Sequence, residues 1–325
     1  MSKIPGALPA RPAGSSLGVS RGLILVAVAA ALLAAPFVFY PVMLMKVLCF
    51  ALFATAVNLL LGYAGLLSFG HAMYFGGAAY VCAYARKELG WTPEASILAG
   101  VAFSAVFGLL TGLLSIRRSG IYFAMVTLAL GQLFYFLCLQ SPATGGEDGI
   151  QSVPRGLLFG ALDLENNVTL YYFVLAVTGF GMLAAYRAIN SPFGQILTAI
   201  RENEPRAISL GYRVAWFKAL AFTLSAALAG LAGATKVLVF QLASLTDVSA
   251  PMSGEVVLMT LVGGMGTVLG PVVGAAIIVS MQNYLADVGE WLIVIQGLIF
   301  IATVSLFRRG VVGEIAARLR RGRGT

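Results

Sequence analysis

Long apolar runs separated by short polar breaks fill nearly the whole chain. The runs at residues 22–40, 43–61, 97–116, 121–139, 168–186, 220–240 and 292–307 have the continuous apolarity of helices that cross a hydrocarbon core about 30 Å thick. Two further regions are apolar but interrupted. In GYAGLLSFGHAMYFGGAAY, residues 62–80, five glycines with Ser68 and His71 break the pattern. Irregular backbone is tolerated at membrane depth only where it is buried in protein or lines a cavity, so this segment is expected to face the interior of an assembly. In VVLMTLVGGMGTVLGPVVGAAIIV, residues 256–279, Gly263, Gly264, Gly266, Gly270 and Pro271 would unwind any continuous helix and predict two short spans that turn at the glycines. The first run is long for a signal-peptide core and flows past Pro41 into the next, so it reads as a retained helix. The pattern predicts an all-α, polytopic helical membrane protein of about ten transmembrane segments with broken, Gly-rich helices.

Composition agrees, with 59% hydrophobic residues, 10% charged residues and a mean hydropathy of +0.92, far from soluble domains. A net charge of +8 would suit nucleic acid if it were spread over a surface, but it is segregated. Basic residues collect in residues 1–21, at Arg117 and Arg118, in the polar stretch 187–219 and at Arg308, Arg309, Arg318, Arg320, Arg321 and Arg323; acidic residues collect in the alternate breaks. The positive-inside bias then places both termini in the cytoplasm, with no nucleic-acid partner. Residues 1–21 form a disordered lead, 22–307 the transmembrane domain, and 308–325 a basic tail attracted to the anionic lipid bilayer. Residues 140–167, including TGGEDGI, form the long external loop. Lys46 falls at the outer end of its span, where its ammonium would snorkel outward.

Several chemistries are excluded. Cys49, Cys82 and Cys138 lie inside apolar runs and His71 is the single histidine, so neither a disulfide framework, a metal site nor a cofactor site is expected. No phosphate-binding loop exists, because no lysine follows a glycine; if ATP drives this chain, another subunit binds it. Ser68 and His71 are the one nucleophile–base pair at compatible depth, a spacing met by chance, and His71 reads as a helix-start residue bonded to neighbouring backbone, so the chain is not an enzyme. All 13 carboxylates map to loops or span ends, which removes the mid-bilayer acid of many ion-coupled carriers. Carbonyls at broken helices can also hold a coupling ion, so a secondary carrier acting alone stays open as an alternative.

The longest polar interruption holds Arg201, Glu202, Glu204, Arg206, Arg213 and Lys218. Within it Asn203 suits an N-cap, Pro205 the first turn and Gly211 the left-handed position past the end, which predicts a helix from Pro205 to Leu210. So short a helix is unstable alone in water and calls for a partner surface.

Six stretches in order resemble one family: GYAGLLSFGHAMYFGGAAY, IYFAMVTLALGQ, TGGEDGI, SPFGQILTAIRENEPRAISLGYRVAWFKALAF, SAALAGLAGA and LVGGMGTVLGPVVGA. Together they are similar to the LivM-type permeases of branched-chain amino-acid ABC importers, over residues from about 44 to 309. The resemblance implies a type II importer permease fold in the inner membrane of a bacterial cell, a second, LivH-like permease, two cytoplasmic ATPases and a periplasmic solute-binding protein. It also implies an ATPase-coupling element at Arg201, Glu202, Asn203, Glu204, Pro205, Arg206, Ala207, Leu210 and Gly211. The usual Glu-Ala-Ala core of that element is altered here to Glu204, Pro205, Arg206, Ala207. Ser68, His71, Tyr74 and Phe75 are expected at the translocation path, with Gly263, Gly264 and Gly266 opposite, and Glu147 and Asp148 at the docking site of the solute-binding protein. The solute is a branched-chain or related amino acid, with urea or a short amide as alternatives.

Overall fold

A computed structural model of the chain describes residues 33–37, 40–160, 162–285, 294–295, 297–298, 301 and 310–314. The expected lead at 1–21 and most of the spans at 22–40 and 292–307 and of the tail at 308–325 lie outside the described residues.

From Pro41 onward the described chain is a helical bundle. Helix α1 (Pro41–Asn58) opens on a proline, whose missing N–H is no loss in a first turn, and continues into a wider π-type turn, Leu59–Ala64. Gly65 ends it in the left-handed conformation at φ 70°. After a non-helical stretch come α2 (His71–Lys87), α3 (Pro93–Ser115) and α4 (Ile121–Gln140). Helix α5 (Asn167–Ile189) is capped by the Asn166 side chain, which accepts from the Val168 N–H. Then follow α6 (Pro192–Glu202), α7 (Glu204–Ser209), α8 (Val214–Phe240), α9 (Ala250–Gly263) and α10 (Gly270–Tyr284).

Among the described residues, five helical segments are long and apolar enough to cross a membrane: Pro41–Ala64, Pro93–Ser115, Ile121–Gln140, Asn167–Ile189 and Val214–Phe240. Their burial separates core from rim: within the most apolar 18 residues of each, 78% of the first and 56% of the last is buried, against 33%, 28% and 33% of the other three. The rim helices keep large apolar side chains such as Leu98, Met125, Phe136 and Phe180 on the outside, as lipid contact requires. Apolar burial does not drive helices together in lipid, so close approach of small residues does. At the α2–α8 crossing Gly233 lies so near the Phe75 carbonyl that a Cβ would come within 1.9 Å of it.

Two expectations are corrected. The seventh span begins at Val214 rather than 220, so the polar stretch 187–219 contains two short helices and the first turns of α8. The loop between α4 and α5 carries short strands: β1 (Ile150–Gln151) pairs with β4 (Leu242–Ala243), and β2 (Leu157–Leu158) with β3 (Leu162–Asp163). Arg155 straps this loop to the last turn of α8 through the carbonyls of Leu238 at 3.0 Å and Val239 at 2.8 Å, and Arg86 donates to Pro154 O. The carboxylates are also not all peripheral. Asp247 is buried in a 2.6 Å ion pair with Lys236, and Glu255, inside α9, accepts from Gln282 of α10 at 2.6 Å. Each burial is tolerable because the charge meets a partner.

Candidate functional site

Two polar regions stand out within the apolar bundle. The first is the break between α1 and α2. Its backbone groups, deprived of helix partners, are satisfied by small side chains: Phe69 N–H donates to Thr127 Oγ1 at 3.2 Å, Gly70 N–H to Ser68 Oγ at 3.3 Å, and Ala72 N–H, in the first turn of α2, to Ser253 Oγ of α9 at 2.9 Å. His71, fully buried, opens α2. Its Nε2 lies 2.8 Å from Ser225 Oγ of α8, and Ser225 has only one hydrogen, which goes to Ala56 O at 2.6 Å. His71 therefore donates from Nε2, and Nδ1 is an acceptor without a hydrogen bond among the described residues. The expected bond to neighbouring backbone is replaced by a side-chain tie across three helices. Ser68 Oγ accepts from Gly70 N–H and His71 Nε2 meets Ser225, so the two side chains bond to different partners.

Tyr74 and Phe75, one turn on, are also fully buried. The Tyr74 hydroxyl meets Thr111 Oγ1 at 2.5 Å, and Phe75 stacks on Phe53 at 4.4 Å. Gly263, Gly264 and Gly266 lie at the junction of α9 and α10. A Cβ on Gly263 would come within 1.8 Å of Gly270 O, so its role is to let α9 and α10 touch. Gly264 (φ 123°) and Gly266 (φ 76°) make the turn between those helices, a conformation that favours glycine. That turn packs on Asn58 and Gly62 at the end of α1.

The second region lies at that same end. In α7 the Asn203 side chain accepts from Arg206 N–H at 3.0 Å, Pro205 occupies the first turn, and Gly211 is left-handed at φ 86°. Glu204 pairs with Lys218 of α8 at 2.7 Å, and Ala207 is buried against Ile200 and Val214. The outward side is unusual for a loop, because Ile208 and Leu210 are 58% and 69% exposed beside exposed Arg206, with Trp216 exposed at the start of α8. Sequence reasoning missed α6. Its signal was the spacing of Phe193, Leu197 and Ile200, three and four residues apart, which puts Leu197 and Ile200 on the buried face. Arg201 and Glu202 close α6, both exposed, and the Arg201 guanidinium donates to Gly62 O. Glu147 and Asp148 are exposed in the loop at the opposite end of the bundle. Among the described residues there is no His, Cys, Asp or Glu cluster that could hold a metal ion.

Residues 41–304 match the family described as branched-chain amino acid transport system / permease component. Two curated relatives, both named high-affinity branched-chain amino acid transport system permease protein LivM, come from Salmonella typhimurium, 29% identical over 267 residues, and Escherichia coli, 28% identical over 269 residues. Each alignment covers 74% of this chain and 62% of the relative, so the match spans under two thirds of the relatives' length. A solved metal-chelate type ABC transporter in an inward-facing conformation aligns over 90% of this chain and 98% of its own at 17% identity and a TM-score of 0.45, too low a likeness to bear on fold or function. With four fifths of its residues inside the family match and a bundle of apolar helices around a broken core, this chain belongs to the family of branched-chain amino acid transport system permease components.

Proposed function

We propose that this chain is the membrane-embedded permease subunit of an ATP-driven importer and forms, with a second related permease, the path for branched-chain or related amino acids. The observation that carries the proposal is α7, a capped surface helix with an exposed apolar side, held to the bundle through Glu204–Lys218 and Arg201–Gly62. Exposed Ile208 and Leu210 beside Arg206 suit a protein cleft better than water. A helix of six residues needs that second surface to stay folded.

In this reading the Pro205–Leu210 segment sits in a cleft of one of the two cytoplasmic ATPases, with Arg201, Glu202, Asn203, Glu204 and Gly211 holding it in place, and closure of the ATPase dimer moves it as a lever. Ten spans place both termini in the cytoplasm of a multi-pass inner-membrane protein, with residues 22–307 as the permease domain. Ser68, His71, Tyr74 and Phe75 form the inner gate of the path, and the Gly263–Gly264–Gly266 turn moves with them. Glu147 and Asp148 receive a periplasmic solute-binding protein. Neither ATP nor any cofactor is bound by this chain itself.

Purification through a tag on this chain, from its native membrane, tests the reading. Two ATP-hydrolysing subunits and a second permease are expected to co-elute, with uptake in proteoliposomes that requires ATP. Uptake by the chain alone, driven by an ion gradient, would overturn it.

A further inference from the structure

Three backbone groups at one end of the bundle are held by side chains that arrive from distant segments, and together they form a single joint. The π-type turn Leu59–Ala64 ends α1, so its last carbonyls lack helix partners. One of them, Gly62 O, is taken by the Arg201 guanidinium from the end of α6, a cation at a helix C-terminus where the backbone dipole favours it. The stem of Arg201 passes directly over Gly65, where a Cβ would come within 2.8 Å of its Cγ.

One turn earlier, the fully buried Asn58 uses both ends of its amide on the α9–α10 turn. Its Nδ2 donates to Thr267 O at 2.8 Å, and its Oδ1 accepts from Gly266 N–H at 2.8 Å. Gly62 is needed for this, because a Cβ there would lie 2.4 Å from Asn58 Oδ1 and 2.7 Å from Gly266 N. Thus α6 grips the π-type turn, and Asn58, at the end of α1 just before it, grips the glycine turn between α9 and α10. Gly310, against Gly264, adds a further segment to the same turn.

We propose that the Leu59–Ala64 turn is the transmission joint of the transporter, with Asn58 and Arg201 as the positioning residues that carry a displacement of α6–α7 into the α9–α10 pair. The inference rests on the proposed coupling role of α7 and adds a route to it. Beside the direct link from α7 to α8 through Glu204–Lys218, a second link crosses α1 to helices that α7 does not touch through any hydrogen bond among the described residues. A π-type turn suits the task, since it is a wide turn that can tighten to α-helical geometry without unfolding, and such turns recur at functional sites.

The test compares wild type, Asn58→Ala and Arg201→Met in the complex purified through this chain, and measures ATP hydrolysis and solute uptake in the same proteoliposomes. Arg201→Met keeps the stem over Gly65 and removes the cation. The joint predicts that Asn58→Ala, outside the proposed ATPase contact, retains the ATPases and their hydrolysis while uptake per ATP falls about five- to twentyfold, and that Arg201→Met lowers uptake per ATP as far in the complex that holds the ATPases. Unchanged uptake per ATP in either variant overturns the joint, and so does loss of the ATPases from Arg201→Met, which would place that residue in the ATPase contact instead. Failure of wild-type complex to contain ATPases at all would instead overturn the coupling role of α7.

Discussion

Alanine in place of Gly233 is expected to destabilise the chain by about 3 kcal/mol or more, enough to prevent its accumulation in membranes. The new Cβ would lie 1.9 Å from the Phe75 carbonyl and 2.7 Å from its carbon, both backbone atoms of α2 that cannot swing aside. Relief would require α2 and α8 to separate, which would also strain the His71–Ser225 and Ser225–Ala56 bonds. Gly179→Ala in α5 provides the contrast, because nothing lies within 4 Å of its added carbon. There the better helix propensity of alanine is expected to leave stability unchanged or raise it by up to about 1 kcal/mol. Thermal unfolding of both variants in one detergent checks the difference.

The second large effect concerns coupling rather than folding. Asn203→Ala with Gly211→Val removes the acceptor for Arg206 N–H and places a β-branched residue at φ 86°. The lost cap costs about 1 kcal/mol and the strained residue about 1–3 kcal/mol, more than a helix of six residues can absorb. ATP-dependent uptake is expected to fall at least about tenfold while the amount of chain in the membrane stays the same, since α7 covers only Ala207 and its neighbours. Uptake assays beside quantitative immunoblots of the same membranes measure both. Loss of the chain from the membrane would assign α7 a folding role instead.

These two sites mark how far the amino-acid sequence can be read. Helix α7 was legible because its determinants are adjacent: Asn203, Pro205 and Gly211 act on backbone within a few residues of themselves. The apolar runs likewise announced the long helices, and the glycines announced the breaks at residues 65–70 and 264–269. Helix α6 was hidden because its charged end drew attention to the polar residues and away from the spacing of Leu197 and Ile200. The tertiary ties were not legible at all. Asn58 meets Gly266 across 208 residues and His71 meets Ser225 across 154, and no local pattern encodes such pairs. For the same reason the packing of the glycine turn on Asn58 and Gly62 has no local signature in the sequence. A buried pair such as Lys236–Asp247 escapes for a different reason: in the sequence both residues look like ordinary loop-end charges.

The account depends on α7 being the surface through which this chain is driven. Leu210→Cys, introduced into the assembled transporter and treated with a short thiol-reactive cross-linker in inside-out membrane vesicles, tests that most directly. The predicted result is a covalent adduct between this chain and an ATP-hydrolysing subunit, with a yield that changes when nucleotide is bound. Labelling of the same cysteine by a membrane-impermeant reagent applied from the periplasmic side, with no adduct to such a subunit, would contradict it.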